Sequence, residues 1–149
     1  MMTENIKALV FSRLEQAAES LAAGKLLLER RFFRPSINRS YYAMFYSVLG
    51  LLTTRREETS KHGRAIALFD KEFVKAEVFS KEFSRWLHEA FDLRQRSDYS
   101  PQFHPTEELD WHWTKTIART HSRRAGNQPP TKSLSVNSNY LAKDDKCTS

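Results

Sequence analysis

Arg94 and Asp98 stand four residues apart in the polar run Arg94-Gln95-Arg96-Ser97-Asp98-Tyr99. Far upstream, Asn38 opens a second run, Asn38-Arg39-Ser40-Tyr41-Tyr42-Ala43-Met44-Phe45-Tyr46, in which one arginine precedes four aromatic residues. A guanidinium presents phosphate with a rigid fork of donors, and a carboxylate can orient that fork or accept a proton. On one helix, residues at i and i+4 face each other, so Arg94 and Asp98 make either an ion pair worth about a few tenths of a kcal/mol or part of a polar site. Asn38 would complete that site if its helix faces the end of the other. Arg39, Arg96, Lys61, His62 and Arg64 are candidate phosphate contacts around it, each otherwise a solvated charge. Tyr99 either packs at a helix end or meets a partner, while Tyr41, Tyr42, Phe45 and Tyr46 have the spacing of core or seam aromatics. His104 reads as a solvated loop residue. There is no Gly-rich phosphate loop, no His-Glu-x-x-His and no serine elbow, so the sequence offers no metal site and implies no cofactor.

These residues must be carried by helices. Only Gly24, Gly50 and Gly63 and Pro35, Pro101 and Pro105 interrupt the chain before residue 119, which leaves long stretches without helix breakers. Ile6, Val10, Leu14, Ala17 and Leu21 recur on one helical face after a Thr3 cap, and this predicts a first helix to about Arg30. A second is predicted from Pro35 and Ser36 through Leu52, burying Ile37, Tyr41, Met44 or Phe45, Val48 and Leu52. A third, capped by Ser60, carries Ile66, Phe69 and Phe73. A fourth, capped by Ser80, turns Phe83, Trp86, Leu87, Ala90 and Phe91 inward. The stretch Ser97 to Pro105 interrupts the pattern, and a fifth helix is predicted from about Thr106 with acidic residues first and Arg119, Arg123 and Arg124 last. The expected fold is all-α, an antiparallel bundle of four to five helices over residues 1–124, followed by a disordered polar and basic tail over 125–149.

Composition sets outer bounds. The 149 residues carry a net charge of +6, and the lone Cys147 cannot form an intramolecular disulfide. A reducing, cytoplasmic setting is therefore expected. No apolar run approaches the ~20 residues of a membrane helix, so no membrane association is expected. Residues 1–118 hold 18 basic and 16 acidic side chains, against six and two in 119–149. The basic pI thus belongs largely to the tail, which at that dilution supports weak, salt-sensitive nucleic-acid binding at most.

Asn-Arg-Ser-Tyr-Tyr-Ala-Met-Phe-Tyr from Asn38, Lys61-His62-Gly63 before a helix ending in Phe-Asp-Lys-Glu-Phe, and the closing Asp92-Leu-Arg-Gln-Arg-Ser-Asp-Tyr99 resemble together the HEPN superfamily of small helical proteins, in its branch with an Arg-x-x-x-Asp-Tyr ending. The resemblance covers roughly residues 6–118. It implies a homodimeric bundle, toxin-like, paired with a nucleotidyltransferase antitoxin, and in active branches a metal-independent ribonuclease. Such cleavage needs a proton acceptor for the ribose 2′-OH, a donor for the leaving oxygen and a cation for the phosphate. By resemblance Arg94 is the cation, Asn38 supports it and Asp98 occupies the place where active branches carry His. A carboxylate, ionised at neutral pH, accepts a proton there but does not donate one. Tyr99 matches the place where some relatives are silenced by their partner's modification. The resemblance thus leaves two expectations, a toxin-like ribonuclease with a degenerate motif, or a noncatalytic dimer binding RNA, a nucleotide or a partner protein. A decayed member of the family is a third.

Overall fold

Residues 2–106 are described by the computed structural model. They form helices α1 (Glu4–Glu29), α2 (Phe33–Thr54), α3 (His62–Phe69) and α4 (Lys81–Tyr99), with a π-helical turn, Asp70–Val74, continuing α3. No strand occurs among the described residues, as the all-α expectation requires. The expected fifth helix and the tail of 125–149 lie outside the described residues.

α2 is the central element, packed against α1, α3 and α4. Its buried face follows the predicted stripe, with Ile37, Tyr41, Phe45, Val48 and Leu52 all inside, while Met44 is only partly covered. Ala65, Ile66 and Phe69 from α3, Phe73 from the π turn, and Leu87, Ala90 and Leu93 from α4 close the same core. α1 meets α2 differently. Its buried residues are Ala17, Ser20 and Gly24, all small, and small residues let helix backbones approach closely. Ser36 Oγ donates to the Gly24 carbonyl at 2.8 Å, fixing the top of this hairpin.

Several boundaries move from their predicted places for physical reasons. Thr3 caps α1 as expected, its hydroxyl accepting from the Ile6 N–H at 3.4 Å. α2 begins two residues before Pro35, because a proline in the first turn forfeits only an N–H that has no partner within the helix. At α3, Lys61 rather than Ser60 holds the N-cap position, and the Thr59 hydroxyl accepts from the Lys61 N–H at 3.2 Å. Ser80 occupies the N-cap of α4, though without a side-chain capping bond. α4 continues through Ser97 and Asp98 to Tyr99, past the predicted interruption. Pro101 is what ends it, by forcing the preceding Ser100 into extended geometry (φ −103°, ψ 111°).

α1 and α2 both close with the same reverse turn. The Phe32 N–H bonds the Leu27 carbonyl and the Arg31 N–H that of Leu28, while Glu57 and Arg56 repeat the pattern onto Leu52 and Thr53. Arg31 and Arg56 therefore sit at φ of 62° and 60°, in the left-handed region where such a turn usually takes glycine.

Candidate functional site

The site lies where the start of α2 meets the end of α4. Ile37 and Tyr41 are drawn into the core, so Asn38, one residue round the helix from Ile37, is left at its rim facing α4. Leu93 and Ser97 are likewise buried, which turns Arg94 and Asp98 toward α2. A cleft of about 490 Å³ opens there, lined by Leu27, Arg34, Pro35, Asn38, Arg39, Ser97 and Asp98.

Asp98 is the shared anion. Asn38 Nδ2 donates to Asp98 Oδ2 at 3.0 Å, and Arg94 Nε lies 2.9 Å from the same oxygen. The Arg94 N–H points off that line, so this contact is an ion pair without an aligned hydrogen bond, and the buried Nε has no hydrogen-bond partner among the described residues. Arg39 completes the chain of contacts, with Nε and Nη2 donating to Asn38 Oδ1 at 3.1 and 2.6 Å. Asn38 thus spends its carbonyl on a cation and its amide on an anion, which settles its orientation.

Aromatic faces surround the Arg94 guanidinium. Its Cζ lies 5.9, 5.7 and 5.7 Å from the ring centres of Tyr41, Tyr42 and Tyr99, and Arg39 stands 4.9 Å above Tyr42. Aromatic faces attract cations, the more so when water is excluded. The i, i+4 pair expected from spacing forms, but with the Arg94 side chain only 13% exposed and that of Asp98 24% it is largely covered rather than solvated. Tyr99 is 70% exposed.

His62, at the start of α3, joins the cluster through Tyr41, whose hydroxyl lies 2.7 Å from His62 Nδ1. Burial, and secondarily the charge of Arg94, lowers the His62 pKa from its ordinary value. Burial pushes the Tyr41 phenol well above its usual range against the opposing pull of Arg94.

The structure therefore brings together Arg94, Asp98, Asn38, Arg39, Tyr99 and His62. It does not bring in Arg96, which points away to stack on Phe103 at 5.6 Å, because two residues along a helix is more than half a turn. Lys61 and Arg64 are exposed at the start of α3, and His104 is exposed beyond α4. Reasoning from sequence missed Arg34. Its two Nη groups donate to the carbonyls of Ser97 and Phe103, clamping the end of α4 and the segment after it onto α2. The only signal was a lone arginine before Pro35. Among the described residues, no cluster of three or more His, Cys, Asp or Glu could hold a metal ion, and no helix is long and apolar enough to cross a membrane.

Residues 11–125 match a family model described as HEPN domain. Over 108 residues the chain is 32% identical to a candidate toxin of Methanocaldococcus jannaschii, covering 72% of this chain and 80% of that one. Similarity to a UPF0332 protein of Thermotoga maritima reaches 35% over 112 residues, 74% and 84% of the two chains. A second candidate toxin of M. jannaschii is 36% identical over 86 residues, 58% of each chain.

Proposed function

The chain belongs to the HEPN domain family, and from that premise we propose that it is the toxin-like component of a toxin–antitoxin pair, acting on RNA at the Arg94 cluster. Relatives named as candidate toxins support the setting. The observation that carries the reading is the guanidinium of Arg94, held between the Asp98 carboxylate and three tyrosine rings, with Asp98 and Asn38 lining the neighbouring cleft. Arg94 would take the scissile phosphate, Asn38 and Asp98 would hold the guanidinium in place, and Arg39 would add a neighbouring phosphate contact. A buried, pre-aimed cation stabilises charge gathering on phosphate more than a solvated one does. The protein acts as a homodimer in this reading, and its antitoxin is a nucleotidyltransferase, for which the exposed Tyr99 hydroxyl is an accessible acceptor.

A second reading is favoured by Asp98 itself. Its carboxylate is engaged by Asn38 as an acceptor and by Arg94 as a counter-ion, which suits holding the guanidinium rather than serving a leaving oxygen. The site would then bind RNA, a nucleotide or the partner without cutting. Incubating labelled total RNA with wild type and Arg94→Ala in EDTA decides between them. Cutting by wild type and not by the variant, with both folded, establishes the ribonuclease. Retention of RNA by wild type without cutting, lost in Arg94→Ala, establishes the binding module. No RNA binding by wild type sinks the ribonuclease and the RNA-binding form of the second reading, leaving a nucleotide or the partner as its ligand.

A further inference from the structure

Tyr41 is 1% exposed, and a phenol so buried must place its proton on an acceptor or suffer the cost of leaving it unmet. His62 Nδ1, at 2.7 Å, is its one hydrogen-bond partner among the described residues. If the imidazole were charged, Nδ1–H would point at the phenol oxygen, the phenol proton would be stranded, and a second cation would sit beside Arg94. Burial and Arg94 both act against that form. With the phenol O–H donating to Nδ1, the single proton of the neutral imidazole is on Nε2.

The ring is also held in place. Phe45 stacks on it at 4.2 Å with 25° between planes, and Tyr42 meets it edge-on at 5.8 Å. Tyr41 and Tyr42, within 6 Å of the His62 ring, are the same two rings that stand under the Arg94 guanidinium. One pair of adjacent tyrosines on α2 therefore positions both an N–H donor from α3 and a cation from α4. Nε2 has no hydrogen bond among the described residues. The ionisable groups packed near the imidazole are Tyr41 and Tyr42 from α2 and Arg94 from α4, with Lys61 and Arg64 beside it on its own element.

We propose that His62 is a second phosphate ligand of the Arg94 site, a neutral Nε2–H donor whose tautomer and aim are set by Tyr41 as a positioning residue. The ligand role rests on the RNA reading given above, whereas the tautomer does not. The distinction has a consequence. A phosphate bound through a charged imidazole is released as pH rises through about 6.5, but one bound through a neutral donor is held evenly across that range.

The test uses the full chain labelled with ¹⁵N, long-range ¹H–¹⁵N spectra of its imidazoles, and a short 2′-O-methyl oligoribonucleotide that cannot be cleaved through its ribose. His62→Gln identifies the His62 signals. The expected result is the Nε2–H tautomer from pH 6 to 8, an Nε2 signal that shifts with the oligonucleotide, and a Kd flat over that range. His62→Ala should weaken binding roughly tenfold, the usual loss for one hydrogen bond to a charged group. His62→Gln, which restores a neutral N–H donor, should recover most of it. Tyr41→Phe should let the tautomers mix and give the Kd a pH dependence, with thermal melts confirming that each variant is folded. An imidazolium, an Nδ1–H tautomer, or an Nε2 signal that stays still while the Arg94 Nε–H signal shifts would overturn the assignment of His62. If neither signal moves, RNA does not bind at Arg94, and the RNA reading falls together with the ligand role.

Discussion

Asp98 and His62 together show how a side chain's surroundings, rather than its type, decide what it contributes. Asp98 holds two neighbours through one oxygen, so it is an organiser of the Arg94 guanidinium before it is anything else. His62, from another helix, meets the same two tyrosine rings that stand under the Arg94 guanidinium. Its lowered pKa has a consequence for stability. The unfolded chain takes up a proton on this imidazole at about 6.5, while the folded one resists it. The contribution is therefore fully present above that value and is lost as pH falls from it toward the lower, folded pKa. Thermal melts between pH 7.5 and 5 should accordingly show Tm falling on acidification, and the fall should be smaller in His62→Gln than in wild type. Equal slopes for the two proteins would show that other groups set the acid sensitivity. Of these residues, Arg94, Asp98 and Asn38 were legible as a group, because i and i+4 spacing places two of them on one helix face. The Tyr41–His62 bond was not, since 21 residues and a change of helix separate the partners.

At the scale of elements, the α1–α2 hairpin sets how closely Asn38 and its neighbours are held. A Cβ added at Gly24 would fall 2.9 Å from Ser40 Oγ and 3.4 Å from Ser40 N, inside the seam. At Gly50 the nearest atom is Arg13 Cβ at 3.5 Å, an ordinary contact. Alanine favours a helix interior over glycine by about 1 kcal/mol, so the two sites should respond with opposite sign. Gly50→Ala should raise stability by about 0.5–1 kcal/mol, whereas Gly24→Ala should lower it by about 1–3 kcal/mol because Ser40 is buried with little room to retreat. Urea melts of the pair check this, and a gain at Gly24 would mean that the seam is looser than its distances indicate. The helices themselves were readable from three- and four-residue apolar spacing and from Thr3. Their ends were less so, since Pro35 was compatible with a first turn begun earlier and only Pro101, of the two downstream prolines, stops α4.

Across the whole molecule, one side chain ties the ends of the core together. Arg34, on the first turn of α2, reaches the carbonyls of Ser97 and Phe103, the first of them in the last turn of α4, where carbonyls have no partner within the helix. The clamp forms one wall of the cleft and holds Asp98 at the distance at which Asn38 can reach it. Arg34→Ala should destabilise the protein by about 2 kcal/mol, in the range for hydrogen bonds made by a charged donor. Hydrogen exchange should accelerate first at the amides of residues 97–103, leaving those of α1 near their wild-type rates. Arg34→Lys should fail to restore protection, because an ammonium lacks the planar fork that serves two carbonyls at once. Uniform acceleration over the chain would show instead that Arg34 supports the core as a whole.

By itself the sequence determined the all-α class, the stripe from Ile37 to Leu52 that became the core, and the residue types able to hold a phosphate. Those properties are local, since hydrophobic period and helix spacing act over a few residues and need no knowledge of the partner helix. Tertiary structure alone decided that Arg94 turns onto Tyr41 and Tyr42, that Arg34 closes the cleft, and that Tyr41 bonds His62. Each of these depends on which atoms of distant segments come within about 3–6 Å, the range of hydrogen bonds and ring–cation contacts. That convergence is set by how α2, α3 and α4 pack around one core, and no spacing along the chain encodes it.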